Sequence, residues 1–164
     1  MIQYIAAMMF CVAATPDPVV SLVQEVKLAT FCTDHNGYPF GSLIGYSLDN
    51  QGRPYIFVSD LAEHTRNIKK NNKVSLVVFK EDKDDLFNSQ RLTFVGKIAQ
   101  VTDEKEIEIL RKDYLERLPT AEQFIDIEDF HFYRLEIEKI HRIGGFGDIE
   151  WKTVDEWKEV WRKR

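Results

Sequence analysis

Between residues 59 and 67 the chain reads Ser-Asp-Leu-Ala-Glu-His-Thr-Arg-Asn. Hydroxyls, an imidazole, a guanidinium and an amide crowd together where an apolar strand pattern gives way to a short helix. The first turn of a helix presents backbone N–H groups without partners and the positive end of its dipole, so an anion docks there. Ser59, His64, Thr65, Arg66 and Asn67 are therefore candidates to hold a phosphate. Other uses of the same residues stay open: His64 as a surface histidine, Thr65 and Asn67 as local caps, Arg66 as a solvated charge. Arg91, at the start of a later strand, suits phosphate by its planar fork, or serves as an edge charge. Gly41, Ser42 and Leu43 lie mid-strand, where small residues let a planar ring approach the backbone. Ordinary close packing would use them in the same way.

These groups need elements to place them. Asp17 can cap a short helix over residues 19–25, with Val19, Leu22, Val23 and Val26 on one face. Strands are expected over residues 27–34, 40–48 and 54–59, joined by Asp34-His35-Asn36-Gly37 and Asp49-Asn50-Gln51-Gly52. Asn36-Gly37 favours a tight hairpin, so the three form an antiparallel meander. A short helix over residues 62–71 follows. The apolar run at 74–79 predicts a strand buried on both faces. Residues 80–89 are charged and read as a loop. The strand over 91–101 is interrupted by Gly96, a sign of a bulge or a close approach. Asp103, with Glu106 three residues on, opens a helix whose stripe is Ile107, Leu110, Tyr114, Leu115 and Leu118, and Pro119 stops it. A short helical piece is expected near 121–126 and a half-solvated strand over 130–140. Gly144-Gly145-Phe146-Gly147 reads as a flexible hairpin or hook. Thr153 and Glu156 are spaced as a capping box for a last helix bearing Val154, Trp157, Val160 and Trp161.

The fold class is mainly β with flanking helices, an antiparallel small barrel formed by one domain over residues 19–164. So short a meander leaves exposed edges unless it closes or pairs with a second subunit. A net charge of −5 argues against a coat for nucleic acid or anionic membrane. No apolar run is long enough for a membrane span. Cys11 and Cys32 make neither a metal set nor a disulfide framework. Residues 1–18 read as a leader or a short helix. Their apolar run from Ile5 to Ala14 resembles a signal peptide without its positive n-region. The expected location is cytoplasmic, or exported if residues 1–14 are such a signal.

Four pieces in order carry a resemblance: Leu28 to Phe79, Arg91 to Gly96, Phe132 to Leu135, and Ile143 to Gly147. Together they resemble the pyridoxamine 5′-phosphate oxidase-like superfamily, nearest its haem-utilisation-like branch. The resemblance implies a split β-barrel and a homodimer with sites at the subunit interface. Its usual ligand would be flavin mononucleotide (FMN). It places Gly41, Ser42, Leu43 and Ile44 beside the flavin, Ser59 near the phosphate and Arg91 at a polar flavin contact. The oxidases carry an arginine at the Gly41 position and a basic pair at Glu63-His64. This chain departs from them at all three.

Three functions follow. The first is an FMN-dependent oxidoreductase, in which the cofactor carries the chemistry, since no triad, nucleophile elbow or P-loop is present. The second is a haem-binding or haem-degrading protein; His35, His131 and His141 are further imidazoles that could meet iron, but none has a second ligand at metal-site spacing, and a structural role is the simpler use of each. The third is a non-catalytic secreted module that acts through protein contacts. The sequence names no substrate or electron donor.

Overall fold

Two turn residues with positive φ, Asn36 at 54° and Gly37 at 87°, close the first hairpin. In this computed structural model, which describes residues 17–164, they join β1 (Leu28–His35) to β2 (Tyr38–Gly45) in register from Leu28–Gly45 to His35–Tyr38. Before them lies α1 (Pro18–Glu25), whose Val19 N–H donates to the Asp17 carboxylate at 2.8 Å. The chain continues through β3 (Ser47–Leu48), β4 (Pro54–Ser59), α2 (Glu63–Lys70), β5 (Lys73–Lys80), β6 (Gln90–Gln100), α3 (Glu104–Arg117), β7 (Phe130–Gly145), β8 (Asp148–Lys152) and α4 (Val154–Arg162). The strands form one antiparallel sheet in the order β2-β1-β5-β6-β7-β4-β3, with β8 added beside β7. This is the mainly antiparallel split-barrel architecture with flanking helices that the sequence implies.

Local signals explain much of this. Gly96 sits where the β6–β7 register shifts, and a Cβ there would collide with the Glu136 carbonyl. Asp103 accepts the Glu106 N–H at 2.9 Å and opens α3. Thr153 and Glu156 form a reciprocal capping box on α4.

Two apolar clusters fill the molecule. The larger gathers Phe31, Leu76, Phe94, Ile140, Trp157 and Trp161 inside the barrel. The smaller packs Tyr55, Phe57 and Phe132 against Leu110 and Tyr114 of α3. Arg117 joins α3 to α1: its guanidinium donates to the carbonyls of Val23, Gln24, Val26 and Tyr46 at 2.6–3.0 Å. A cation thus caps the carbonyl end of α1.

The expectation that residues 74–79 are buried on both faces is not met. Val74, Leu76 and Val78 face the core, while Ser75, Val77 and Phe79 are half-buried or exposed. The outward residues belong to a row that crosses the sheet from Leu43 through Thr30, Val77, Thr93 and His141 to Trp151. Leu43 is 71% exposed and Trp151 62%. The row itself carries no Asp, Glu, Lys or Arg, while Lys73, Arg91, Lys97 and Lys139 flank it on the same face.

Sequence reading stopped the last long strand at 140. It runs on to Gly145 and turns through Phe146-Gly147 into β8. The expected helical piece near 121–126 is a tight 3₁₀ turn over Pro119–Gln123. The leader-like residues 1–16 lie outside the described part.

Candidate functional site

The start of α2 is built differently from a usual helix N-terminus. Its N-cap is Ala62, whose side chain caps nothing. Glu63 and His64 occupy the first turn. His64 Nδ1 lies 3.2 Å from Ser42 Oγ on β2, and its ring stands edge-on to Phe31 at 6.1 Å. Burial pushes the His64 pKa below the ordinary imidazole range, so the ring is neutral near pH 7. Where Nδ1–H donates to Ser42, Nε2 carries a bare lone pair; where the Ser42 hydroxyl donates to Nδ1, Nε2 carries the proton. That nitrogen is shielded from water and has no hydrogen-bond partner. The neighbouring Thr65 Oγ1 is also buried and unpartnered. Each such atom costs about 1–3 kcal/mol of desolvation.

His64 lines a cavity of about 420 Å³. Its other walls include Phe57 of β4, Tyr114 of α3, Phe130 of β7, and Leu118 and Phe124 flanking the 3₁₀ turn. Phe124 is stacked on Phe130 at 5.3 Å and on Phe57 at 6.5 Å. The volume falls within the roughly 300–1,000 Å³ of small-molecule sites, and the lining has their usual character, apolar with few polar groups.

The remaining candidates are placed as follows. Ser59 also lines the cavity, but its hydroxyl donates to Asp129 and accepts the Leu61 N–H. Thr65 points inward. Asn67 is buried, donating to Thr33 Oγ1 at 3.0 Å and meeting His35 Nδ1 at 3.2 Å. Arg66 is paired with Glu63 at 3.3 Å. Gly41 and Leu43 are exposed on β2 on either side of Ser42. Arg91 stands apart, lining a narrow crevice with Leu22, Arg142 and Gly144 that shares no residue with the aromatic cavity. The structure therefore brings Ser42, Ser59 and His64 together and leaves Arg91 elsewhere in the chain.

Other histidines are engaged. His35 meets Glu63 at 3.0 Å, His131 faces Asp60 at 3.5 Å, and His141 lies against Trp151 at 4.6 Å. Among the described residues no cluster of His, Cys, Asp and Glu has metal-holding geometry, and no helix is long and apolar enough to cross a membrane. Sequence reasoning missed the aromatic wall. Its signal was the density of Phe124, Phe130 and Phe132 after Pro119.

Comparison with known proteins fits this picture. The chain belongs to the family described as CREG, beta-barrel, which matches residues 12–159. It is 34% identical over 118 residues to the chloroplastic non-canonical heme oxygenase HOZ of Arabidopsis thaliana, covering 72% of this chain and 36% of that protein. It is 28% identical over 131 residues to the heme oxygenase HutZ of Vibrio cholerae, covering 76% and 73%. The structure of a heme binding protein from Mycobacterium smegmatis superposes with a TM-score of 0.78 at 26% identity, covering 84% of this chain and 57% of that one. The chain thus spans little more than a third of the plant relative and just over half of the mycobacterial one. A pyridoxinephosphate oxidase family protein from Clostridium acetobutylicum shares the fold, with a TM-score of 0.65 at 22% identity, covering 84% and 93%.

Proposed function

We propose that this chain binds haem, with the macrocycle against the aromatic cavity and His64 as the imidazole nearest its iron. One observation carries the reading: a neutral imidazole whose Nε2 no protein group satisfies, on the wall of a cavity lined by stacked phenylalanines. The residues suit the group: neutral imidazole is an iron ligand once a turn of the His64 ring uncovers its Nε2, which is closed off in the ligand-free chain, and the aromatic rings match a planar apolar surface. Relatives named for haem support the same reading. Bound haem would supply any oxygen chemistry through its iron. The chain's own parts are narrower. Phe57, Phe124 and Phe130 seat the ring and exclude water, and the Ser42 hydroxyl orients the His64 ring through a hydrogen bond at Nδ1.

Haem titration of the purified protein tests this. A Soret band that saturates near one haem per chain is expected, with affinity falling at least about tenfold in His64→Ala. Unchanged affinity in that variant would remove His64 from the site.

Flavin mononucleotide is the second reading. It is favoured by the exposed Gly41 and Leu43 on β2 and by the fold shared with an oxidase-family protein. In either case we infer a homodimer formed through the open row from Leu43 to Trp151, an uncharged row with large exposed apolar side chains at both ends. Light scattering should give twice the 19.2 kDa chain mass, and Val77→Lys should halve it. A monomeric wild type would refute the dimer without touching the ligand site.

A further inference from the structure

We propose that Glu63 sets ligand choice at the α2 corner by rejecting phosphate monoesters, FMN among them. The helix start and its nearby hydroxyls and cations look suited to phosphate, yet carboxylates already hold those groups. Glu63 holds Arg66 at 3.3 Å and faces His35 at 3.0 Å. Asp60 holds Lys69 at 2.7 Å. The Ser59 hydroxyl is given to Asp129. His64 is neutral and gives one nitrogen to Ser42. A phosphate dianion arriving here meets Asp60, Asp129 and Glu63 against Lys69 and Arg66, so the corner is net negative before the ligand binds.

Of the three carboxylates, Glu63 matters most for position. It is the first residue of α2, beside His64, where the helix would otherwise present free N–H groups to an anion. Its negative charge offsets that dipole advantage, and at the helix surface it pairs with Arg66, the nearest cation to an incoming phosphate. Asp60 lies just before the helix and Asp129 just before β7, and they occupy Lys69, His131 and Ser59 instead. A ligand whose buried part is uncharged escapes this repulsion. The inference stands whether or not the cavity takes haem, and it excludes the flavin mononucleotide reading.

The test compares FMN with riboflavin, which has the same ring without the phosphate, on the full chain by flavin-fluorescence titration. Wild type should bind riboflavin at least as tightly as FMN. Glu63→Gln, which removes one negative charge and frees Arg66, should move the FMN-to-riboflavin affinity ratio about tenfold toward FMN. Glu63→Lys should move it further, and added salt should erode both gains. Glu104→Lys, at the exposed start of α3, should leave the ratio unchanged. Circular dichroism confirms folding, and the half-exposed Glu63 makes the glutamine variant a safe substitution. A wild type preferring FMN by tenfold would overturn the proposal. So would an unmoved ratio in both Glu63 variants, or no flavin binding in any of them. Haem titration of the same samples separates the two readings: haem binding with an unmoved ratio defeats only this one.

Discussion

Two short helices of this chain solve the same problem in opposite ways. Both α2 and α4 begin with acidic first turns beside a strand. In α4, Thr153 and Glu156 cap each other reciprocally, and Trp157 donates to the Gly52 carbonyl at 2.8 Å. The α2 helix has no side-chain cap. Four buried side-chain polar atoms lack partners among the described residues, and two of them, His64 Nε2 and Thr65 Oγ1, are consecutive on α2. Trp161 Nε1 is α4's only such atom, beneath the Arg164 guanidinium at 4.0 Å from the ring. The difference teaches where stability was given up. α4 is fastened to the barrel, whereas α2 keeps unsatisfied groups beside a cavity, as ligand sites commonly do.

The contrast can be broken from its strong side first. Trp157→Ala should cost about 3–5 kcal/mol, because a 1% exposed indole packed edge-on to Phe94 at 5.3 Å leaves a cavity. Urea unfolding measures it; a loss under about 1 kcal/mol would mean that α4 is not the anchor. Thr153→Ala should cost about 1 kcal/mol through the lost cap, read from the same curves.

On the α2 side the sign should reverse. Thr65→Val keeps the shape and removes an unpartnered hydroxyl, so stability should rise by about 1 kcal/mol. A clear loss would mean that the hydroxyl has a partner in solution. The smallest effect is in pH. Backbone N–H donation from Thr153 holds the Glu156 carboxyl below its ordinary range. A depressed folded pKa gives stability that is present above the unfolded value and lost as pH falls through the folded one. Wild type should therefore lose more stability than Glu156→Gln between about pH 5 and pH 3. Parallel curves across that range would exclude the linkage.

What was legible in the sequence was local. The Asn36-Gly37 turn, the Gly96 bulge, the Asp103 cap and the Thr153–Glu156 box each need only a few adjacent residues, and all four appear. The sheet order and β8 depend on pairings that cross the chain, such as Ile143–Ile149 after a turn the sequence showed only as glycines. The outward half of β5 misled because Val77 and Phe79 look like core residues, yet they sit on the uncovered face. At the site, His64 was identifiable from its place at a helix start. What its neighbours do was not. Ser59 is taken by Asp129, seventy positions away, and Asn67 by Thr33 on β1. The aromatic wall comes from β4, β7 and the turn after α3, which no spacing rule links.

The most direct measurement is haem titration followed by thermal unfolding on two samples, wild type and His64→Leu. A site that gives up stability for binding predicts opposite changes. The leucine variant should lose at least about tenfold in haem affinity while its ligand-free form is more stable by about 1 kcal/mol. A variant that binds haem as wild type does and melts earlier without it would make His64 an ordinary packing residue and contradict the account.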